Sequence, residues 1–420
     1  MSPTHVPIHV SIAGAGPGGL CLAQGLRRAG IDFDVYERDP ALSSRHQGYR
    51  IRIDADGQRA LAQCLPADLY ALFRQSAIVS SGARFFDCDL SPVAGRVPER
   101  WRTSGDTSAP HAPAVEAAPV PELATNRQTL REILMCGIED RVHFGMPLQR
   151  FDILNNETVR IDFSNGETRH STLLVGADGV NSMVRKQLAP DADPADTGAV
   201  CLYGKSIATP ALKADVGATL YEGTAVIFAD GFTTIVDPML FPEPLPSLAA
   251  RLAPQCRLTT VDDYLYWAFI GPRANLGIAA GAAAAHLPDH LATHVAAIVS
   301  TWHPQLRALF SRADAEAISI MPVRSATPAI AHWQPGHVTL LGDAIHAMSP
   351  AAGAGANTAL RDAAALAATF VAAFADERRP ASLREGVARY EHAMRDWAAA
   401  AIRASESGTR LLSGRTTLYH

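Results

Sequence analysis

Apolar and polar positions near the start of the chain predict a strand, a helix and a second strand. Residues 6–12 form a short run of β type, and residues 20–29 carry a helical pattern that ends before Gly30. Residues 31–36 alternate again and lead to Glu37. A strand, a helix and a strand within about 30 residues form a βαβ unit, so parallel strands are expected here.

Further along, the pattern becomes mainly β and then helical. Residues 198–280 read as β-rich, and two short strands flank Asp230-Gly231, a pair typical of a tight hairpin turn. In the strand predicted at 264–270, Tyr264 and Tyr266 share one face. Strand aromatics usually belong to a core, and a substrate wall is the alternative. The other predicted elements are helices at 127–138, 286–310, 356–376 and 382–410, strands at 173–175 and 337–341, and a surface loop at 100–122.

Composition describes an ordinary globular protein. The 420 residues suit two or three packed substructures, with 48% hydrophobic and 19% charged residues. The net charge of −5 does not favour nucleic acid or an anionic membrane as partner. The six cysteines show no C-x-x-C spacing, so neither a disulfide framework nor a metal site is expected. No signal peptide or long apolar span is visible, which predicts a soluble cytoplasmic protein. The oligomeric state is not predicted.

The turn after the first strand has the spacing of a dinucleotide-binding motif. The first glycine permits a tight turn, the second lets the backbone approach a phosphate, and the third lets helix and strand pack closely. The helix N-terminus favours an anion. Glu37, at the end of the next strand, can accept hydrogen bonds from ribose hydroxyls. The motif reads Gly14-Ala15-Gly16-Pro17-Gly18-Gly19.

No second strand–G-x-G-x-x-G–helix unit occurs, so the choice between NAD and FAD depends on the downstream motifs. Two further motifs favour FAD. Asp178-Gly179 follows one predicted strand, and Gly342-Asp343 follows another. A carboxylate at a strand end can hold ribityl or ribose hydroxyls. The glycine-rich turn after Pro350 lets backbone N–H groups approach a flat ring, and the helix starting near Ala356 points its positive end there.

At these residues the chain resembles the class A FAD-dependent aromatic monooxygenases, the p-hydroxybenzoate hydroxylase-like group, with most similarity to its tetracycline-inactivating branch. The resemblance covers most of the chain. It implies an α/β fold: a Rossmann-type FAD-binding domain of the glutathione reductase/p-hydroxybenzoate hydroxylase type, with an inserted β-sheet substrate domain and a C-terminal helix. The implied division is 1–185 (with 76–122 contributing to the substrate side) and 321–376 for the FAD-binding domain, 186–320 for the mainly β substrate domain, and 377–420 for the C-terminal helix.

The resemblance also implies which residues bind cofactor. By this resemblance, the adenosine and pyrophosphate end of FAD is bound by Gly14, Ala15, Gly16, Pro17, Gly19, Glu37 and Arg38. The pyrophosphate–ribityl region of FAD would be bound by Arg127 and Asp343. The isoalloxazine ring would be contacted by Pro350, Gly353, Gly355, Ala356 and Asn357. Asp178 and Gly179 would serve FAD and, transiently, the nicotinamide cofactor, and Arg45 would lie near the mobile flavin or NAD(P)H. Arg52 departs from the pattern, since that branch carries an acidic residue there.

The activity implied is NADPH- or NADH-dependent hydroxylation. The reductant reduces FAD, O₂ gives a C4a-hydroperoxyflavin, and oxygen passes to an aromatic or polyketide-like small molecule. No protein nucleophile is needed, and no catalytic side chain is assigned. Two alternatives stay open: a flavin oxidase or dehydrogenase on the same fold, and a non-catalytic flavin-binding redox sensor. A halogenase is disfavoured, because such enzymes use a lysine and none precedes Lys186.

Overall fold

The computed structural model describes residues 8–44, 49–80, 82–93, 120–154, 158–229, 231–278, 288–375 and 379–412. The predicted α/β class is confirmed. The strands are β1 (His9–Ala13), β2 (Asp32–Tyr36), β3 (Ile51–Ile53), β4 (Ile78–Val79), β5 (Ala83–Asp87), β6 (Leu123–Thr125), β7 (Val142–His143), β8 (Leu148–Ile153), β9 (Val159–Phe163), β10 (Thr168–Ser171), β11 (Leu173–Gly176), β12 (Ala195–Ile207), β13 (Thr224–Ala229), β14 (Phe232–Met239), β15 (Tyr264–Pro272), β16 (Ser319–Ser325) and β17 (Val338–Leu340). The helices are α1 (Pro17–Arg28), α2 (Ala55–Cys64), α3 (Ala67–Ser76), α4 (Arg127–Met135), α5 (Met183–Leu188), α6 (Pro210–Val216), α7 (Leu245–Leu252), α8 (Pro288–Ile298), α9 (Pro304–Ser311), α10 (Asp343–His346), α11 (Gly355–Ala375) and α12 (Arg379–Leu412).

A five-stranded parallel sheet gathers segments from distant parts of the chain. Its order is β17-β11-β1-β2-β7. Because neighbouring strands run in the same direction, their carboxyl ends meet at one edge. The ends of β1, β2, β11 and β17 lead into Gly14, Glu37, Asp178 and Asp343, respectively. This edge is where open α/β sheets bind ligands.

Close helix packing supports this sheet. α1 buries Leu20, Leu22 and Leu26 against the sheet core, and α11 lies beside α1. A Cβ on Gly25 of α1 would lie 2.7 Å from the Cβ of Ala367 in α11, so the small residues permit this approach. The alanine-rich sequence of α11 therefore serves helix–helix contact.

A six-stranded sheet forms a second layer, in the order β16-β12-β15-β14-β13-β5. The predicted hairpin is confirmed, since Ala229 of β13 pairs with Phe232 of β14. One sheet face packs Trp267 and Phe269 under α6, α8 and α9. The opposite face, with Tyr264, packs on the sheet formed by β3, β6 and β4. The alternation of side chains along β15 thus separates two environments.

Several boundaries differ from the sequence-based ones. The region 286–310 holds two helices rather than one, because His303 caps α9 and Pro304 occupies its first turn. The implied boundary at 320/321 falls inside β16, which pairs with β12. From the segment 76–122, β5 joins the six-stranded sheet beside β13. The domain division itself stays a prediction, and residues 100–119 of the predicted loop lie outside the described residues.

Candidate active site

A continuous cleft follows the carboxyl edge of the parallel sheet. It consists of two adjoining cavities of about 490 and 330 Å³. The residues that line both cavities are Gly16, Arg127, Ala177, Gly179, Met321 and Asp343. The predicted cofactor-binding residues that line the cleft are Gly14, Gly16, Pro17, Gly19, Glu37, Arg38, Arg127, Asp178, Gly179, Asp343, Pro350, Gly353, Gly355 and Ala356. The structure therefore brings together residues from all three sequence motifs.

The glycine turn between β1 and α1 is shaped for close backbone approach. Gly14 has a φ of +110°, and a Cβ there would lie 2.4 Å from the carbonyl oxygen of Ala177. A Cβ on Gly19 would lie 2.1 Å from the carbonyl oxygen of Gly14. At Gly16, by contrast, a Cβ would meet no atom within 4 Å, since this position borders the cleft. The turn can thus present backbone N–H groups to an anion at the N-terminus of α1.

Glu37 connects this turn to the cleft. Its Oε2 accepts a hydrogen bond from the N–H of Ala15 at 2.9 Å, and its Oε1 accepts one from Asp39 at 3.0 Å. Glu37 is only 8% exposed, yet it lines the cleft. A carboxylate offers about four acceptor positions, so two remain for hydroxyl donors. Ala15 lies buried behind the wall, and Arg38 is exposed at the same end.

Arginines of α4 add positive charge at the middle of the cleft. Arg127 is the first residue of α4 and lines both cavities. A cation at a helix N-terminus opposes the helix dipole, which favours an anion nearby. Arg131 donates from Nε to the carbonyl of Ala15 at 3.1 Å and from Nη1 to that of Leu42 at 3.1 Å. Sequence reasoning did not assign Arg131, although its position four residues after Arg127 places both on one helix face.

Asp178 has a capping contact and one oxygen left over. Its Oδ2 accepts from the N–H of Met183 at 2.7 Å, at the start of α5. Its Oδ1 is buried and has no hydrogen-bond partner among the described residues. Burial raises the pKa of the Asp178 carboxyl, although hydrogen bonds from Ser182 and Met183 act in the opposite direction. The orphaned oxygen, in a residue that lines the cleft, suits a ligand hydroxyl.

Asp343 lines both cavities of the cleft and follows a tightly held turn. Burial by the surrounding walls raises the pKa of its carboxyl, while His346 and Arg127 lower it. Behind it, Nε2 of His346 lies 2.6 Å from Oδ2 of Asp362, and both side chains are fully buried. Asp362 also accepts from the N–H of Gly342 at 2.8 Å. Burial alone would lower the pKa of His346, but the Asp362 carboxylate raises it overall.

The far end of the cleft is built by the turn before α11. Pro350, Gly353, Gly355 and Ala356 line it, so the N-terminus of α11 faces the cavity. Arg52 donates from Nη2 to the carbonyl of Ala352 at 2.7 Å and forms an ion pair with Glu122. Arg52, the departure from the family pattern, therefore anchors this turn.

Asn357, in contrast, lies behind the wall. Its Nδ2 donates to the carbonyls of Arg52 and Gly353 at 3.0 and 3.1 Å, and its Oδ1 accepts from the N–H of Asp54 at 3.1 Å. The side chain ties β3 to the turn and does not line the cleft. Arg45, which the resemblance also implied, lies outside the described residues.

The six-stranded sheet supplies the wall opposite this turn. Tyr266 lines the cavity, whereas Tyr264 is fully buried. The Tyr264 hydroxyl accepts from Nδ2 of Asn126 at 3.0 Å and donates to the carbonyl of Tyr49. One tyrosine thus belongs to the core and the other to the wall. The lining residues that sequence reasoning did not assign include Arg50, Cys201, Ile235, Ile270, Met321 and Met348, and at the other end Leu42, Met146 and Leu148.

The described part of the chain holds neither a metal-binding cluster nor a helix suited to crossing a membrane. No group of three or more His, Cys, Asp or Glu side chains there could hold a metal ion. Among the described helices, none combines the length and apolarity that a membrane crossing requires.

Two models of known protein families match segments of the chain that line the cleft. A family model described as an NAD(P)-binding Rossmann-like domain matches residues 12–64, and one described as an FAD binding domain matches residues 292–405. The first match contains the glycine turn and Glu37, and the second contains Asp343 and the start of α11. FAD is therefore a cofactor of this chain.

Relatives that match most of this chain are described as FAD-dependent monooxygenases. The dual O-methyltransferase/FAD-dependent monooxygenase elcB of Phaeosphaeria nodorum is 35% identical over 97% of this chain and 46% of the relative. The FAD-dependent monooxygenase thnD of Trichoderma harzianum is 28% identical over 86% of this chain and 82% of the relative. The crystal structure of a proposed FAD-containing monooxygenase from Photorhabdus luminescens subsp. laumondii TTO1 superimposes with a TM-score of 0.77 at 28% identity, over 97% of this chain and 100% of that one. The chain spans about half the length of the dual-function relatives that it matches. Over most of its length, this chain is similar to FAD-dependent monooxygenases.

Proposed function

We propose that the protein consumes NADH or NADPH and O₂ to hydroxylate an aromatic or polyketide-like small molecule. The observation that carries this proposal is the cleft, which runs from the glycine turn to an apolar and aromatic wall of the six-stranded sheet. In the Phaeosphaeria nodorum relative the monooxygenase is combined with an O-methyltransferase. Methyl transfer to oxygen needs a hydroxyl or carboxyl group on the acceptor, which supports an oxygenated substrate or product such as a phenol.

The residues present fit FAD along the length of the cleft. The turn at Gly14 and Gly16 and the N-terminus of α1 would hold the pyrophosphate, with Arg127 nearby. Glu37 would accept from ribose hydroxyls with its remaining acceptor positions, and Asp343 from ribityl hydroxyls. The N-terminus of α11 would stabilise negative charge on the ring. When bound, FAD supplies the activated oxygen that is transferred.

The wall residues would control what reaches that oxygen. Ile235 and Ile270 from the sheet and Met348 from the turn before α11 give the cavity apolar surface. Apolar walls exclude water from the reacting centre and favour a flat apolar ring over a hydrated ligand. The chain would thus orient the substrate and keep the site dry, with no protein nucleophile in the reaction.

Turnover with labelled oxygen tests the proposal. The FAD-loaded protein is mixed with NADH or NADPH and a panel of phenols, naphthols and hydroxyanthraquinones. We expect at least one compound to accelerate both reductant oxidation and O₂ uptake, and its product to carry one ¹⁸O atom from ¹⁸O₂. A compound that bleaches the flavin anaerobically without NAD(P)H would instead support the oxidase alternative. A panel in which no compound accelerates reductant oxidation or gains ¹⁸O contradicts the proposal.

A matched pair of glycine variants tests where the cofactor binds. Gly16→Val places a side chain into the cleft at an extended backbone position (φ −73°), so it adds bulk without backbone strain. Gly336→Val adds the same bulk at a surface turn, where a Cβ would meet only one atom, at 3.9 Å. We expect the first variant to lose bound flavin and the second to retain it, measured by flavin absorbance per protein. Equal retention would contradict the assignment of the glycine turn.

A further inference from the structure

A buried ion pair joins the strand beside the cleft to the six-stranded sheet. Arg50 precedes β3, and its Nε contacts Oδ2 of Asp237 in β14. The two side chains are only 13% and 7% exposed. Oδ1 of Asp237 also accepts from the Thr224 hydroxyl at 3.1 Å. Asp237 is therefore fixed from two sides and holds the guanidinium of Arg50 in one place.

This ion pair uses only part of the guanidinium. Arginine has five N–H donors in a planar fork. Arg50 lines the cavity, and its Nη1 and Nη2 donate to no residue in the described ranges. The neighbouring Arg52, in contrast, donates Nη2 to Ala352 and contacts Glu122 through Nη1. Of these two arginines, Arg50 is the one whose two terminal nitrogens, Nη1 and Nη2, are both left for a ligand; the Nε of Arg52 also has no hydrogen-bond partner but is buried.

A tyrosine of the six-stranded sheet lines the same cavity as Arg50. Tyr266 is directly opposite Asp237 in the antiparallel register of β14 and β15, so both point to the same sheet face. Tyr266 lines the cavity, and its hydroxyl has no hydrogen-bond partner among the described residues. Burial raises the pKa of the Tyr266 hydroxyl well above its usual value, and the positive charge of Arg50 acts in the opposite direction. The cross-strand pairing with Asp237, which contacts Arg50, is what places Tyr266 and Arg50 on one wall of the cavity.

The rest of this wall is apolar. Its other members from the six-stranded sheet are Cys201, Ile235, Ile270 and Met321. In such surroundings, unpaired donors are costly unless a ligand satisfies them. A guanidinium fork prefers a planar anionic oxygen group, because charge-assisted hydrogen bonds are the strong ones. Arg50 and Tyr266 are the polar groups of this otherwise apolar wall. They therefore favour a flat apolar ring that carries an anionic substituent at the position next to them.

We propose that Arg50 and Tyr266 form a subsite for an anionic oxygen of the aromatic substrate, and that Asp237 is the positioning residue for Arg50. The inference rests on the proposed function and specifies its substrate class: aromatic compounds with a carboxylate or an ionised hydroxyl. Neutral aromatic compounds of the same shape bind more weakly. Both sources of anionic oxygen share the same chemistry, and binding measurements distinguish them.

Binding to the FAD-loaded protein tests the subsite without turnover. The probes are two matched pairs, 2-naphthoate with methyl 2-naphthoate and 4-nitrophenolate with 4-nitroanisole, followed by the change in flavin absorbance. We expect wild type to bind at least one anion roughly tenfold more tightly than its neutral partner. A preference in the first pair identifies a carboxylate, and one in the second identifies an ionised hydroxyl. If neither anion binds more tightly than its neutral partner, the proposal is wrong.

Substitutions test whether Arg50 causes the preference for an anion over its neutral partner. Arg50→Gln should reduce the anion-to-neutral ratio to near one, and Arg50→Lys should keep part of it, because lysine has the charge but not the fork. Since Arg50→Gln leaves Asp237 unpaired, the double variant Arg50→Gln/Asp237→Asn removes both charges together. Arg312→Gln removes the charge of an arginine paired with Asp215, remote from the cleft, and should keep the full ratio.

The readouts separate this inference from the proposed function. A protein that retains FAD but shows no anion preference, or whose ratio survives Arg50→Gln, contradicts only the subsite. A protein that binds no FAD contradicts the proposed function itself. Flavin content and absorbance maximum, recorded for every variant, show whether a lost preference reflects a disturbed cofactor site instead of a lost anion contact.

Discussion

Replacing Asp362 by asparagine tests the support behind the Gly342-Asp343 turn. The fully buried Asp362 carboxylate accepts from Nε2 of His346 at 2.6 Å, from the N–H of Gly342 at 2.8 Å and from Nε1 of Trp397 at 2.8 Å. Asparagine has nearly the same shape but one acceptor oxygen and no charge. Its NH₂ group would face a donor, and His346 would lose its ion-pair partner.

The size of the effect follows from the burial. Removing one partner of a buried ion pair costs about 3–5 kcal/mol. The entropy of unfolding is about 2.1 cal/mol/K per residue, which is about 0.9 kcal/mol/K for a chain of 420 residues. The melting temperature of Asp362→Asn should therefore fall by about 3–6 °C. Thermal unfolding of the FAD-loaded proteins measures it.

The dependence on pH has a definite sign. The pKa of His346 is raised in the folded protein. A histidine whose pKa is higher in the folded than in the unfolded protein stabilises the fold when it is protonated. This contribution to the free energy of unfolding is complete below the unfolded pKa of about 6.5, and it is lost as the pH rises through the folded pKa. The difference in melting temperature between wild type and Asp362→Asn should therefore be largest near pH 6 and should narrow towards pH 9.

An exposed aspartate provides the control for this prediction. Asp262 lies on the surface before β15, and its replacement by asparagine should change stability by less than about 0.5 kcal/mol. The reasoning is refuted if Asp362→Asn lowers the melting temperature no more than Asp262→Asn does. It is equally refuted if the difference from wild type widens as the pH rises.

Three further predictions, two of them with a control substitution, concern the cleft and its core. Gly14→Ala should lose bound FAD, because it combines a φ of +110° with a backbone clash, whereas Gly30→Ala, at φ +67° with open space around it, should lose only about 1–3 kcal/mol of stability. Flavin absorbance and thermal unfolding separate the two. Arg52→Gln should weaken FAD binding roughly tenfold, by releasing the turn before α11, in a fluorescence titration. Tyr264→Phe should cost about 1–3 kcal/mol by removing a buried hydrogen-bonded hydroxyl, whereas Tyr266→Phe should leave the melting temperature unchanged.

Local patterns were sufficient for the cofactor half of the fold. The βαβ unit ending at Glu37 lies within a short stretch, and its turn residues have backbone requirements that only glycine meets. The hairpin at Gly231 was predictable for the same reason. The parallel pairing of β5 with β13 was not, because it joins segments far apart in the chain and has no local signal.

The substrate side of the cleft was harder to predict for a physical reason. Alternation along β15 places Tyr264 and Tyr266 on one face, but it does not show that one is sealed by Asn126 while the other meets a cavity. That difference depends on where β6 and α4 lie against the sheet. Likewise, Arg50 and Asp237 belong to no motif, and only the folded chain brings them together.

The two ends of the cleft therefore tolerate change differently. The cofactor end depends on backbone N–H groups and on close approach at Gly14, so most substitutions there disturb the main chain. The substrate wall consists of side chains on a hydrogen-bonded sheet, and these can change while the ladder persists. β3 connects the two ends, since Arg50 before it contacts the sheet and Arg52 within it holds the turn before α11. A ligand bound at Arg50 thus contacts the same short segment that positions the turn before α11. A change of substrate class is therefore expected to need compensating substitutions in this segment as well as in the wall.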